Sequence, residues 1–377
     1  MTTNQWQIRG MDSLFFRESR PHGSVGAGEL HSQFPPPART VLGAIRTTIG
    51  DAEGVDWSAH QSDAQAPSRD LIGYGDNTGS LSFRGPWLRF GSDRLYPMPA
   101  CLLGDLNGKV QALGPGSAVA CDLGKVRLPE LDTPSPGASA YEDHWLSQAG
   151  FEHLLAGQIP KREHIIETDT LWIGESRLGI GRDRKRRTAS DRALYQTRHI
   201  RPHPELAVCV EVNGAPQGLS SGVMRLGGEG RMASFRVADA ETIPTPAALT
   251  PEDGFMLMLL TPARFESNDW LPEGFQAGDS NGAICWNGVL NGVELTIHSA
   301  AVGKAGREGG WDLAMQQPRA VQSLLPAGSV WFCTSQTDAK ALLAALHDAQ
   351  IGQDQALGRG HCAVLPLTTS QKRSFSQ

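Results

Sequence analysis

The chain of 377 residues predicts an α+β fold, and three observations carry that prediction. Apolar runs of strand length recur between glycine and proline breaks, at residues 207–212, 255–260, 330–333 and 362–365. Patches with helical period are few, over about 38–49, 141–155 and 337–347. The length exceeds what one hydrophobic core usually organises, so two domains are expected.

Residues 4–17 alternate and then turn apolar up to Phe15-Phe16, a strand that would deliver Arg17 to its end. A loop rich in glycine and serine follows. Pro35-Pro36-Pro37 cannot be helical before its last residue, but proline suits a helix's first turn, so Val41, Leu42, Ile45 and Ile49 become the buried face of a helix. Residues 51–70 read as an acidic, polar excursion. Residues 81–103 read as a hairpin broken at Gly91-Ser92-Asp93, and 112–137, rich in glycine and proline, as loop or edge structure. Leu171-Trp172-Ile173 and Ala193-Leu194-Tyr195 flank a basic segment, which therefore reads as the arm or tip of a long hairpin within about 171–212.

Pro244, Pro246 and Pro251 mark a boundary, giving domains 1–247 and 248–377. The second half runs strand, strand, glycine loop, strand, helix, glycine loop, strand. That succession matches a ferredoxin-like half.

Composition bounds the function. Hydrophobic residues make up 40% and charged residues 20%; no apolar stretch approaches the roughly 20 residues that span a bilayer, and the polar start lacks a signal-peptide plan, so a cytoplasmic protein without membrane contact is expected. The six cysteines form no C-x-x-C pair, which argues against a zinc ribbon and against a secreted disulfide framework. The net charge of −6 is unevenly spread. From Arg177 to Arg201 nine basic residues face two acidic ones, +7 in all, so the rest of the chain carries −13 to reach the total of −6. Such a distribution places a polyanion at one location and keeps it off an acidic body.

The richest cluster is Gly179-Ile180-Gly181-Arg182-Asp183-Arg184-Lys185-Arg186-Arg187-Thr188. Guanidinium forks and lysines bind phosphates, and glycines allow close backbone approach. A solvated loop is the bland alternative, but four consecutive cations between strand-like flanks favour RNA. Trp172 and Tyr195 nearby could stack on bases, although burial is the commoner fate of such aromatics. Three further glycine-rich segments each hold an arginine: Gly227-Gly228-Glu229-Gly230-Arg231, Gly303 to Gly310 with Lys304 and Arg307, and Gly358-Arg359-Gly360. They would expose backbone N–H groups beside positive charge. None fits a Walker A or dinucleotide spacing.

Catalytic patterns are poorer. Gly218-Leu219-Ser220-Ser221-Gly222 matches G-x-S-x-G without a strand-to-helix elbow. His199 and His203 have metal-compatible spacing, but prolines interrupt any helix, and His347-Asp348 stands isolated. His22 and His31 could serve as acid and base in RNA cleavage.

The opening block Met11-Asp12-Ser13-Leu14-Phe15-Phe16-Arg17-Glu18-Ser19-Arg20-Pro21 and the following Phe34 to Arg46, with its triple proline and repeated arginine, resemble one family: the RAMP subunit of type III-B CRISPR (Cmr) effector complexes that holds the 5′ tag of the guide RNA. Residues 177–183, 193–201, 226–231, 309–313 and 326–330 resemble further blocks of that family in its order. The resemblance implies two tandem ferredoxin-like (RRM-like) domains, no nuclease centre and no metal or other cofactor. It implies a hetero-oligomeric ribonucleoprotein in which this subunit grips the crRNA 5′ tag and touches the large palm-domain signalling subunit and the adjacent backbone RAMP subunit. The basic hairpin would then separate tag from guide, and Arg17, Arg20, Arg46, Arg231 and Arg359 would line the RNA channel. Two other classes stay open: a RAMP-type endoribonuclease processing precursor guide RNA, and a protein-interaction scaffold whose hairpin binds an acidic partner.

Overall fold

The computed structural model describes residues 3–18, 29–122, 124–182, 186, 188–266 and 270–375. The fold is mixed α+β and rich in sheet. Its chain contacts fall into two units, Met1–Ser92 with Thr168–Ala240 and Arg307–Gln322, and Asp93–Glu167 with Glu241–Gly306 and Ser323–Gln377. The division expected after residue 247 is therefore not a single cut. Residues 93–167 join the second unit and residues 307–322 return to the first, because each completes a sheet or an ion-pair network there.

In the first unit, strand Asn4–Gly10 lies between two antiparallel neighbours, Leu206–Asn213 and Met232–Asp239, with Trp6 opposite both Val210 and Val237. Ser82–Phe90 extends the sheet beyond Leu206–Asn213, and Ser221–Arg225 beyond Met232–Asp239. Trp6 and Ile8 are buried, and the Trp6 ring stacks on Phe235 at 4.7 Å. Leu206–Asn213 is covered on both faces, so Glu211 is buried there and survives by pairing with Arg84. Helix Ala38–Ala52 starts directly after Pro37, whose carbonyl accepts from the Thr40 and Val41 N–H groups. It buries the expected Val41, Leu42, Ile45 and Ile49. The excursion after it forms two short helices, Trp57–Ser62 and Ser68–Ile72.

The long hairpin is present as Trp172–Arg182 and Ala189–Pro202, in register from Trp172 opposite Pro202 to Ile180 opposite Leu194, with an irregularity before Arg182. The first strand does not run to Arg17. It ends at Gly10, and the chain crosses to the hairpin, where Leu14 and Ile200 exchange backbone hydrogen bonds at 2.7 and 2.8 Å. Glu29–His31 adds in parallel to Gln196–Arg198.

In the second unit, the wholly buried strand Phe255–Leu259 lies between Val330–Thr334 and Cys362–Pro366, antiparallel to both. Val293–Ala301 pairs on the far side of Val330–Thr334 and Ala283–Leu290 beyond it. Side-chain alternation makes two cores. Phe255, Leu257, Trp331 and Val364 pack with Leu342 and Leu346 of helix Ala339–Leu346, which Asp338 caps by accepting from the Lys340 and Ala341 N–H groups. Met256, Met258, Phe332 and Leu365 pack with Tyr96, Phe151 and Leu154, the Tyr96 and Phe151 rings stacked at 3.8 Å.

Two expectations change here. The helix expected over 141–155 is Gln148–Leu155, started by Ser147, whose Oγ accepts from the Gly150 N–H; His144–Leu146 before it is a strand. The segment expected to be loop or edge contains a hairpin, Val110–Cys121 with Gly124–Leu131, whose irregularity between Pro115 and Ala118 absorbs the prolines and glycines.

Candidate nucleic-acid interface

Three segments of the first unit meet at the root of the long hairpin: the opening block, the hairpin strands and the glycine loop at 227–231. Alternation along the hairpin puts Ile173, Glu175, Arg177 and Gly179 on one face with their register partners Arg201, His199, Thr197 and Tyr195. Against that face the bend Met11-Asp12 brings a carboxylate. Asp12 Oδ1 accepts from Arg201 at 3.1 Å, and Asp12 Oδ2 lies 3.2 Å from Arg231 and 3.4 Å from Arg177. Glu175 pairs with Arg177 at 2.6 Å and also with Arg201. Glu229 lies 3.8 Å from Arg231.

These neighbours shift proton affinities in consistent directions. The Ser13 N–H, with Arg201 and Arg177 beside it, holds the Asp12 carboxyl below the usual carboxylate range. Hydrogen bonds from Arg201 and then Arg177 lower Glu175 similarly, and Glu175 in turn raises Arg201.

Beneath the charges lies a buried relay. Ser13 Oγ is 3.2 Å from His199 Nδ1, and His199 Nε2 is 3.0 Å from Glu229 Oε2. Ionised Glu229 only accepts, so Nε2 carries the proton and Nδ1 accepts from the Ser13 hydroxyl. The arrangement has the order of a serine–histidine–acid triad, but Ser13 and His199 are both 0% exposed. Their observable role is to fasten three segments, with the Phe15 ring stacked on His199 at 5.1 Å. Burial, then Arg231, holds the His199 imidazole below its ordinary pKa, opposed by Glu229.

The Gly228 N–H, expected to face a ligand, is taken up within the fold. Gly228 N–H donates to the Phe15 carbonyl at 2.8 Å, and a side chain at Gly227 would come within 2.5 Å of the same oxygen. Gly227 and Gly230 both take positive φ, as the tight turn requires. Gly179 has a packing role: the Tyr195 ring lies across it, so close that a Cβ would sit 2.2 Å from a ring carbon. Tyr195 is thereby left partly exposed rather than buried, together with Leu178, Ile180 and Leu194. Trp172 instead packs on Phe34, their ring centres 4.6 Å apart.

The remaining expected residues separate into three groups. Arg17 is exposed where it bridges to Ser32, Lys304 is exposed in the second unit, and Arg186 is exposed at the hairpin tip. Arg20, Arg184, Lys185, Arg187 and the Arg182 side chain lie outside the described residues, as does His22; Gly181 falls in the Trp172–Arg182 strand. Arg46 and Arg359 are set differently from a channel lining. Arg46 donates to the carbonyls of Ile72, Gly75 and Asn77, capping the loop that ends the excursion. Arg359 is 2% exposed and pairs with Asp354 at 2.7 Å. Its flanking glycines are interior as well: Gly358 accepts from Thr261, and a side chain at Gly360 would come within 1.8 Å of the Ile351 carbonyl.

Asp12, Glu175 and Glu229 were not legible as site residues, because acidic side chains among arginines read as charge dilution until the fold gathers them around Arg177, Arg201 and Arg231. Among the described residues no group of three His, Cys, Asp or Glu side chains is arranged to hold a metal ion, and no helix is long and apolar enough to cross a membrane.

No curated protein matches the chain. Among solved structures it is similar to a chain of the type III-B Cmr-beta bound to cognate target RNA and AMPPnP, at 15% identity over 87% of this chain and 86% of that one, with a TM-score of 0.49. It is also similar to a chain of the Csm3-Csm4 subcomplex in the type III-A CRISPR-Cas interference complex, at 10% identity over 97% and 99%, with a TM-score of 0.40. The family profile described as CRISPR-associated protein (Cas_Cmr3) matches residues 6–367, from the first strand to just past the last. That match spans nearly every element described above, the opening block, the hairpin and both sheets included, and the chain therefore belongs to the Cas_Cmr3 family of CRISPR-associated proteins.

Proposed function

We propose that this chain is a non-catalytic RNA-binding subunit of a type III-B CRISPR (Cmr) effector complex, holding the 5′ repeat-derived tag of the guide RNA and joining the large signalling subunit to the backbone. The observation that carries the reading is the hairpin: a segment of charge +7 in an acidic chain, raised on two long strands and fastened at its root by the opening block and the glycine loop. Its exposed Tyr195, Leu178, Ile180 and Leu194 give bases apolar surface next to cations for phosphates. Guide pairing would read the target, while this subunit recognises backbone and shape.

Strand order supports a tandem ferredoxin-like (RRM-like) plan. In the first unit the antiparallel order is Ser82–Phe90, Leu206–Asn213, Asn4–Gly10, Met232–Asp239; in the second it is Val293–Ala301, Val330–Thr334, Phe255–Leu259, Cys362–Pro366. Numbered along the chain, both read 2-3-1-4, the ferredoxin-like order. In each unit one helix of that plan is clear, Ala38–Ala52 after the first strand of one and Ala339–Leu346 before the last strand of the other. Hairpins and glycine turns stand in the other helical positions.

The test is binding of guide RNA, with and without its tag, to the full chain and to a variant with Arg182, Arg184, Arg186 and Arg187 changed to alanine. The wild type should prefer tagged RNA. The variant should lose affinity, and its salt dependence should flatten by about 0.7 in log–log slope per lost phosphate contact. Unchanged affinity in the variant would remove the hairpin from the RNA site. Metal-independent cleavage leaving a 2′,3′-cyclic phosphate would replace the scaffold reading with the endoribonuclease one.

A further inference from the structure

Arg177, Arg201 and Arg231 come from different segments, yet all three point at one carboxylate that is 51% exposed. Both Asp12 oxygens are engaged, Oδ1 by Arg201 and Oδ2 by Arg177 and Arg231. A phosphodiester presents the same pattern, two anionic oxygens on one atom open to guanidinium forks. Each arginine also has a second counter-ion, Glu175 for Arg177 and Arg201 and Glu229 for Arg231. Asp12 is therefore the acid that can leave without stranding any of the three. It rides on the exposed bend Met11-Asp12, between the end of the first strand and buried Ser13, so its side chain can rotate into solvent while the backbone stays.

We infer that Arg177, Arg201 and Arg231 form a seat for one phosphate of the bound RNA, and that Asp12 occupies it as a surrogate anion until RNA displaces it. The three arginines and the three acids balance in charge, so the empty-handed site attracts no stray anion; once Asp12 swings away the seat carries a net positive charge. A stretch of RNA held elsewhere on the hairpin supplies the local phosphate concentration that displaces it. Asp12 thus sets a threshold on RNA engagement, and the inference rests on the RNA-binding reading above.

The test compares the full chain with Asp12→Asn, which keeps an oxygen for the Ser13 N–H but loses the charge. Exposed ion pairs add little to stability, so the variant should fold. In fluorescence anisotropy with a fluorescein-labelled single-stranded RNA, Asp12→Asn should bind about tenfold tighter, the gain of roughly one charge-assisted phosphate contact. Its log–log salt slope should steepen by about 0.7, and adding Arg231→Gln should cancel the gain. Equal or weaker RNA binding by folded Asp12→Asn overturns the inference. If neither protein binds RNA, the RNA reading itself fails, and inorganic pyrophosphate judges the seat alone: a raised melting temperature in Asp12→Asn but not in the wild type keeps it, and no shift in either overturns it. Should both Asp12→Asn and Asp12→Ser fail to fold by circular dichroism, Asp12 is a structural pin and the inference falls.

Discussion

Burial, reinforced by Arg127, pushes the His298 imidazole down to about 4, while its Nε2 meets Thr334 Oγ1 at 2.9 Å. The unfolded chain binds that proton below about 6.5, and the fold resists it until about 4. The contribution of neutral His298 is thus complete above about 6.5 and is lost as pH falls toward the folded value, with a ceiling of about 3 kcal/mol for this group. Urea midpoints of the wild type should fall across that window, and His298→Gln should flatten the fall; parallel profiles would refute the assignment. Other charges teach how far single residues can be read. Arg46 and Arg359 were visible as cations beside glycine or after a helix turn, but what they meet was not: three loop carbonyls in one case and Asp354 in the other. A sequence shows donors, whereas the carbonyls a loop leaves unpaired exist only once the loop is folded.

Elements were legible where period and punctuation agreed. Val41, Leu42, Ile45 and Ile49 with a proline before them specified helix Ala38–Ala52, and the apolar flanks of the basic segment specified its hairpin. The Val110–Cys121 hairpin was hidden because Pro115 and Gly116 sit at its register irregularity, where they carry the same local signal as a loop. The glycine loop at 227–231 was visible, but the docking of its Gly228 N–H on the Phe15 carbonyl was not. Its docking on Phe15 makes a graded prediction. Gly227→Ala adds a side chain against the Phe15 carbonyl at positive φ and should cost about 2–4 kcal/mol. Gly230→Ala has the same backbone strain but open space around it, and should cost about 1 kcal/mol. Thermal melts that rank the two the other way would show that the loop does not dock as described.

At the scale of the molecule, the chain passes between its two units five times, and no cut at the proline cluster separates them. Pro244, Pro246 and Pro251 do break local structure, which is why they read as a boundary; which side of the break a strand belongs to is decided by burial partners far along the chain. A fragment of residues 1–247 would keep Tyr96, Leu102, Phe151 and Leu154 while losing Met256, Met258, Phe332 and Leu365, the other half of the same core. It would also lose Arg319, whose pairs with Asp76 and Asp312 close the first unit's ion-pair network. Each large apolar side chain left exposed forfeits about 1.5–3 kcal/mol, and several together exceed the marginal stability of a domain. The fragment should therefore aggregate, or remain soluble only with residues 93–167 open to protease. Size-exclusion chromatography and limited proteolysis decide the matter, and a monomeric fragment that melts in one cooperative step with 93–167 protected would mean that the first 247 residues own a core of their own.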